Sequence, residues 1–154
     1  MRTSTTIFAA ALCSLASALP TSNNIPRAGG PAITPIPSTC TVSDPMPNGC
    51  STSYLPAPDA HDDILYSSYY PSFSSNKTEM ARQCLQQCYG YGYHVECKTA
   101  YWAENVVVPK GYYGTEGGQL STACLMFNRT LTSEDFVPAP EGQATGSFAG
   151  NIAC

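Results

Sequence analysis

The sequence predicts a small α+β domain in which one short helix is stapled by disulfides onto an antiparallel sheet. Three observations carry this prediction. Residues 80–90 place Met80, Cys84, Leu85 and Cys88 at i, i+4, i+5 and i+8, which is one face of a helix. Two runs rich in β-branched and aromatic residues, 95–108 and 120–130, flank a Gly-rich segment at 109–118, the pattern of a hairpin. Cys97 and Cys124 each fall inside one of those runs, so helix and strands both present thiols that can be joined.

The elements follow in chain order. Arg2, the apolar run 7–15 and the small-x-small triplet Ala16-Ser17-Ala18 read as a secretory signal peptide, 1–18, cut after Ala18. That run is too short to span a bilayer, and no later run is long enough. Residues 19–39 are rich in Pro, Ser, Thr and Gly without apolar periodicity and predict a flexible or polyproline-like leader. A domain is expected over 40–154. Within it, Asp44-Pro45, Pro47-Asn48-Gly49 and Pro56-Ala57-Pro58 predict irregular backbone over 40–58. Ile64, Tyr66, Tyr69 and Phe73 suggest a short strand ending near Pro71.

The helix is expected over 77–89. Asn76 is its cap, Glu79 stands where a capping-box partner belongs, and Gly90 offers a left-handed stop. Tyr89, Tyr91 and Tyr93 alternate with glycine, so extended backbone would present all three rings on one side. Beyond the hairpin, 136–137 and 148–154 are expected to add short edge strands.

Composition narrows the partners. Seven basic residues against 11 acidic give a formal net charge of −4, which argues against nucleic acid and against an anionic membrane surface. Cys13 leaves with the signal. Cys40, Cys50, Cys84, Cys88, Cys97, Cys124 and Cys154 remain, an odd set that implies three bridges and one extra thiol in an oxidising compartment. A monomer or a Cys50-linked dimer would follow. With no paired C-x-x-C knuckles and two histidines, neither a metal nor a cofactor is expected. Asn76-Lys77-Thr78 and Asn128-Arg129-Thr130 are glycosylation sequons.

The cysteine pattern suggests a family. A helical C-x-x-x-C, Cys84 and Cys88, precedes a cysteine opening an aromatic strand, Cys97-Lys98-Thr99-Ala100-Tyr101, and another on the return strand, Cys124-Leu125-Met126. This resembles the PAN/apple fold, in particular the apple-like small secreted proteins of filamentous fungi. The resemblance covers about 40–154 and is most specific over 84–124. It implies Cys40 with Cys154, Cys84 with Cys124 and Cys88 with Cys97, leaving Cys50 over. The gap from Cys88 to Cys97 is longer than in the simpler pattern, and there are two early cysteines. Cys50 with Cys154, or a local Cys40–Cys50 loop, therefore stay open. The resemblance also implies a module that contacts proteins or carbohydrates.

Candidate chemistry divides three ways. Tyr89, Tyr91, Tyr93, Trp102, Tyr112 and Tyr113 form a candidate non-catalytic binding set for a glycan or an extracellular protein, since aromatic faces with polar tips suit both. Tyr101 and Trp102 can equally be core. A small secreted hydrolase of glycosidase or ribonuclease type is the alternative, using His94 with Glu96, which would share one side of a strand, or the Glu134/Asp135 pair. His61-Asp62-Asp63 reads better as a solvated turn. A structural wall or matrix component is the third reading.

Overall fold

The structure is a computed structural model that describes residues 30–47 and 52–154. The signal peptide, residues 19–29 of the leader and Cys50 lie outside the described residues. Seven strands and one α-helix follow in order: β1 (Thr41–Ser43), β2 (Tyr54–Pro56), β3 (Ile64–Tyr70), α1 (Lys77–Tyr89), β4 (Thr99–Val107), β5 (Leu120–Phe127), β6 (Phe136–Pro138) and β7 (Thr145–Ala153). Five strands form one antiparallel sheet in the order β1-β7-β4-β5-β3, and β2 pairs with β6 in a two-stranded sheet. This is the α+β domain that the patterning predicts. The last strand is longer than expected and is not an edge. It lies between β1 and β4, which places the chain terminus beside the first strand.

Alternation along β4 sorts the core into two layers. Ala100 and Trp102 face α1 together with Met80, Cys84, Leu85, Cys88, Cys124, Met126 and Ile152. Tyr101 and Ala103 face the opposite layer, with Leu125, Phe127, Leu131, Phe136 and Ala149. The central strand is thus covered on both faces, which explains its nearly unbroken apolar sequence. Tyr101 is fully buried, and its hydroxyl donates to the Tyr54 carbonyl at 2.7 Å, tying the small sheet to the large one. Burial holds the Tyr101 phenol far above its ordinary range, so it stays protonated and remains a donor.

The helix begins as expected and ends differently. Asn76 Oδ1 accepts the Glu79 amide at 3.1 Å, a side-chain cap. Glu79 does not return a bond to the Asn76 amide, which goes instead to Ser74 Oγ at 3.1 Å. Its carboxylate takes Arg82 (2.9 and 2.6 Å) and Gln83 (3.1 Å), the i+3 and i+4 side chains that lie next to it on a helix. Gly90 is right-handed, with φ −73°. Glycine is required there for another reason: an added Cβ would collide with the Ala32 carbonyl and come within 2.8 Å of Thr34 Oγ1.

That close approach belongs to the leader. Residues 31–37 form no helix or strand, and the part facing the helix is packed. The Thr34 amide donates to the Gln86 carbonyl at 3.2 Å, Gln87 Nε2 donates to the Pro31 carbonyl at 3.3 Å, and Ile36 joins the apolar layer under α1. Backbone contacts of this kind leave no periodic signature, so the segment reads as a linker in sequence alone. The irregular stretch 40–58 likewise contributes β1 and β2, each only three residues long.

Three disulfides fix these layers: Cys40–Cys154, Cys84–Cys124 and Cys88–Cys97. They are the pairs that the resemblance described above implies. Two of them start one helical turn apart on α1. Cys84 reaches the middle of β5, and Cys88 reaches the residue that leads into β4. The outer bridge closes β1 against the chain end after β7.

An ion-pair hub secures the turns on the far side of the sheet. Arg129 Nε donates to Asp63 Oδ2 at 2.6 Å, while its two terminal nitrogens grip Asp135 at 3.0 and 2.7 Å. Asp135 also accepts the Thr132 amide at 2.7 Å and the Thr132 hydroxyl at 3.1 Å. The Arg129 hydrogen bonds, then those from Thr132, hold the Asp135 carboxyl far below the usual carboxylate range.

Two outcomes follow. Replacing Cys84 and Cys124 together by alanine is expected to cost about 4 kcal/mol in the loop-entropy account, read by denaturant unfolding of the oxidised protein against wild type. For the hub, the folded carboxyl keeps its charge at pH values where the unfolded one takes up a proton. Its stabilisation is therefore complete above about pH 4 and fades as pH falls below that. Arg129→Met is expected to lower stability at neutral pH by roughly 1–2 kcal/mol, allowing for its solvent exposure. The same variant flattens the acid limb of the melting-temperature profile; an unchanged acid limb would remove the hub from the account.

Candidate functional site

The β4–β5 hairpin and the end of β3 enclose a cleft of about 620 Å³. Its construction starts with a bulge. Ala103 opposes Ala123 and Val106 opposes Ser121, so Glu104 and Asn105 together face the single residue Thr122. Asn105 takes φ +56°, a left-handed value that asparagine tolerates better than most residues, and its amide donates to Thr145 Oγ1 at 3.0 Å. Bulges re-aim side chains and often lie beside binding sites. Here the bulge turns two polar residues into the cleft, at a point where the strand pattern would otherwise continue with valine.

Tyrosines supply the apolar part. The Tyr69 and Tyr112 rings meet edge to face at 4.8 Å and 75°, and Tyr112 meets Tyr113 at 4.6 Å and 71°. The Tyr112 hydroxyl accepts the Tyr69 amide at 3.1 Å, which pins the hairpin loop to the outer edge of β3. Within the loop a 3₁₀ turn, Tyr112–Gly114, carries Tyr113 at φ +45° and leaves it 84% exposed. Burial, and then Tyr112, raises the Tyr69 phenol above its ordinary range, so it is neutral at physiological pH.

Polar groups complete the lining. Glu104 Oε1 accepts from Ser72 Oγ at 2.8 Å, and Ser72 Oγ is 2.7 Å from Thr122 Oγ1. Glu104 Oε2 pairs with Lys77 Nζ at 2.5 Å, at the start of α1. The Lys77 ammonium, and then the Ser72 hydroxyl, hold the Glu104 carboxyl below its usual range. The cleft therefore offers aromatic faces, hydroxyls and the amides of Asn105 and Gln119 around one ionised and already partnered carboxylate.

The six aromatic residues singled out in the sequence do not share a surface. Tyr112 and Tyr113 line the cleft. Trp102 is 1% exposed under α1, with its indole N–H donating to Tyr70 Oη at 3.3 Å, so it is core rather than binding surface. Truncating it would cost about 3–5 kcal/mol of packing. Tyr89, Tyr91 and Tyr93 belong to the opposite end of α1, about 20 Å away along a 13-residue helix.

Those three are not extended either. Gly92, Tyr93 and His94 take φ of +58°, +55° and +69°, and the segment folds into a 3₁₀ turn inside the Cys88–Cys97 loop. Tyr89 stacks on His94 at 4.3 Å and 12°, and Tyr91 tilts toward Tyr66 at 6.4 Å. Tyr93 alone projects, 94% exposed, beside the exposed Val95.

The residues of the hydrolase alternative lie as follows. His94 and Glu96 precede β4 instead of alternating along it, and His94 Nδ1 lies 2.5 Å from the Tyr89 carbonyl, so that nitrogen carries the proton. Asp135 is bound to Arg129, and Glu134 is exposed. His61 and Asp62 sit exposed in a 3₁₀ turn whose Asp63 serves the Arg129 hub. Among the described residues no cluster of His, Cys, Asp or Glu is arranged to hold a metal ion.

Sequence reasoning missed Tyr69, Ser72, Glu104, Asn105, Gln119 and Thr122. One signal was present: Glu104-Asn105 interrupts a strand otherwise made of apolar residues. Comparisons with protein-family models, with curated proteins and with solved structures find no match to this chain. The chemistry of the cleft is the guide to what it does.

Tyr112→Phe removes the acceptor for the Tyr69 amide while keeping the ring. It is expected to cost about 1 kcal/mol and to speed hydrogen exchange at the Tyr69 amide with little change at α1. Uniform loss of protection across the sheet would show that Tyr112 supports the fold rather than the loop.

Proposed function

We propose that this protein is a secreted, non-catalytic binding module of PAN/apple-like type whose cleft takes carbohydrate. The observation that carries the proposal is the trio Tyr69, Tyr112 and Tyr113 set beside Ser72, Thr122, Asn105 and Gln119 in one cleft. A sugar ring has a C–H face that packs on tyrosine and a hydroxyl fringe that needs short polar side chains, and this lining supplies both. The cleft contains a single carboxylate, Glu104, whereas most glycosidic hydrolysis uses two. A binding role therefore suits the lining better than a hydrolytic one.

Three disulfides suit an oxidising, extracellular setting. No helix among the described residues is long and apolar enough to cross a membrane. Both sequon asparagines are exposed. Asn76 caps α1 through Oδ1, which leaves Nδ2 for a glycan. The resemblance to apple domains favours a binding role as well, through the helix with two bridged thiols one turn apart.

A second reading rests on a separate observation. Tyr93 and Val95 project from the disulfide-closed loop at the other end of the helix, a shape suited to anchoring in a pocket of an extracellular protein.

The test is a glycan panel of neutral and charged oligosaccharides presented to the oxidised, secreted protein. Saturable binding is expected, weakened roughly three- to tenfold by Tyr113→Ala and unaffected by Tyr93→Ala. Binding lost in Tyr93→Ala and retained in Tyr113→Ala would move the site to the disulfide loop. No binding to any glycan would defeat the carbohydrate reading.

A further inference from the structure

The charges around the cleft go further and select a class of saccharide; this step rests on the carbohydrate reading above. Its lining contains one charged group, Glu104, and no cation. Recognition of a uronate or a sulfated sugar requires Arg or Lys to meet the anion, preferably in a bidentate grip. The nearby Lys77 is committed to Glu104 at 2.5 Å. Lys110, on the same hairpin, projects into solvent and lies 3.9 Å from Glu116. An anionic ligand would therefore meet no free cation in the cleft, and an overall charge of −4.

A cationic amino sugar fares little better. Glu104 is the one group able to pair with it, and both carboxylate oxygens are occupied, Oε2 by the Lys77 ammonium and Oε1 by the Ser72 hydroxyl. Binding an ammonium there means displacing Lys77, an exchange of one ion pair for another with no net gain. The rest of the lining is uncharged: the Ser72–Thr122 hydroxyl pair, the side-chain amides of Asn105 and Gln119, whose carbonyl oxygens can accept from a sugar hydroxyl, and the tyrosine faces.

The geometry points to a site selective for neutral saccharides, with the Lys77–Glu104 pair acting as the specificity device that suppresses binding of either charge. Lys77 and Glu104 are positioning residues in this scheme: each cancels the other, and the ligand touches their neutral neighbours.

Two opposite charge variants test it. The ligands are neutral chitin and β-glucan oligosaccharides, fully deacetylated chitosan oligomers, and oligogalacturonates, all measured by calorimetry at physiological ionic strength. Wild type is expected to favour the neutral set, with an affinity that does not change as salt is raised. Lys77→Gln frees the carboxylate and should raise the chitosan-to-neutral ratio roughly two- to fivefold, the range of an exposed ion pair. Glu104→Gln frees the ammonium and should raise the galacturonate-to-neutral ratio by a similar factor. A general loss of structure cannot raise the chitosan ratio in one variant and the galacturonate ratio in the other, so the comparison survives modest destabilisation of either variant.

Preference of wild type for the chitosan or galacturonate oligomers overturns the inference while leaving the carbohydrate reading intact. The same holds if both variants keep the wild-type ratios. Failure of wild type to bind any of the oligosaccharides overturns the carbohydrate reading, and this inference with it.

Discussion

Two thiols one helical turn apart determine where the helix of this protein lies. Cys84 and Cys88 point from the same face of α1, one to the centre of β5 and the other to Cys97, two residues before β4. A helix tethered at a single point can still pivot about it. Two tethers at neighbouring positions, one to β5 and one to the segment before β4, fix both its height above the sheet and its direction across it. The apolar contacts of Met80, Leu85, Trp102 and Met126 then fill a space whose dimensions are already set. In a domain of this size such constraint is a large share of a stability of ~5–15 kcal/mol.

The far side of the sheet uses different means. There the cover comes from short strands and turns, which present too little apolar surface to pack reliably alone. Polar groups join them instead. Tyr101 reaches Tyr54, Arg129 joins two turns through Asp63 and Asp135, and Asn151 binds the backbone of Leu131 on both sides of the peptide. Thr99, fully buried, completes this last network: its hydroxyl oxygen accepts the Leu131 amide at 3.1 Å, and its one proton lies between the Arg129 carbonyl and Asn151 Oδ1. The two faces of one sheet are thus held by covalent and by hydrogen-bonded connections respectively, and the cleft opens beside the β4–β5 hairpin.

The helix was legible in sequence because periodicity, cap and thiol spacing all point one way. Its neighbours were less so, for identifiable reasons. The Gly-Tyr alternation looks like a strand, yet Cys88 and Cys97 lie with Cα atoms 5.3 Å apart. An extended run of six residues between them would carry the chain about 20 Å away. Closure of the loop therefore overrides the alternation. Trp102 reads as a binding residue until β2, β6 and the turns around them are known to cover the second face of β4 and so force its even-numbered residues beneath the helix. The cleft was partly visible through Tyr112 and Tyr113. Its polar half was not, because Ser72, Glu104 and Thr122 come from three segments and meet only through the bulge.

The hairpin that bears Tyr112 and Tyr113 is closed at its base by two backbone hydrogen bonds, from Val108 to the Gln119 carbonyl at 2.9 Å and from Gly118 to the Val108 carbonyl at 2.8 Å. Everything beyond that closure hangs outside the core, and Tyr112 is its only described side-chain tether to the edge strand. Residues 113–116 can consequently change in length and composition without disturbing a buried residue, whereas Gly117, where an added Cβ would meet the Val108 carbonyl at 2.7 Å, and the scaffold beneath admit little change. Among descendants of such a domain, divergence would concentrate in this one loop while the disulfide framework passed on unaltered.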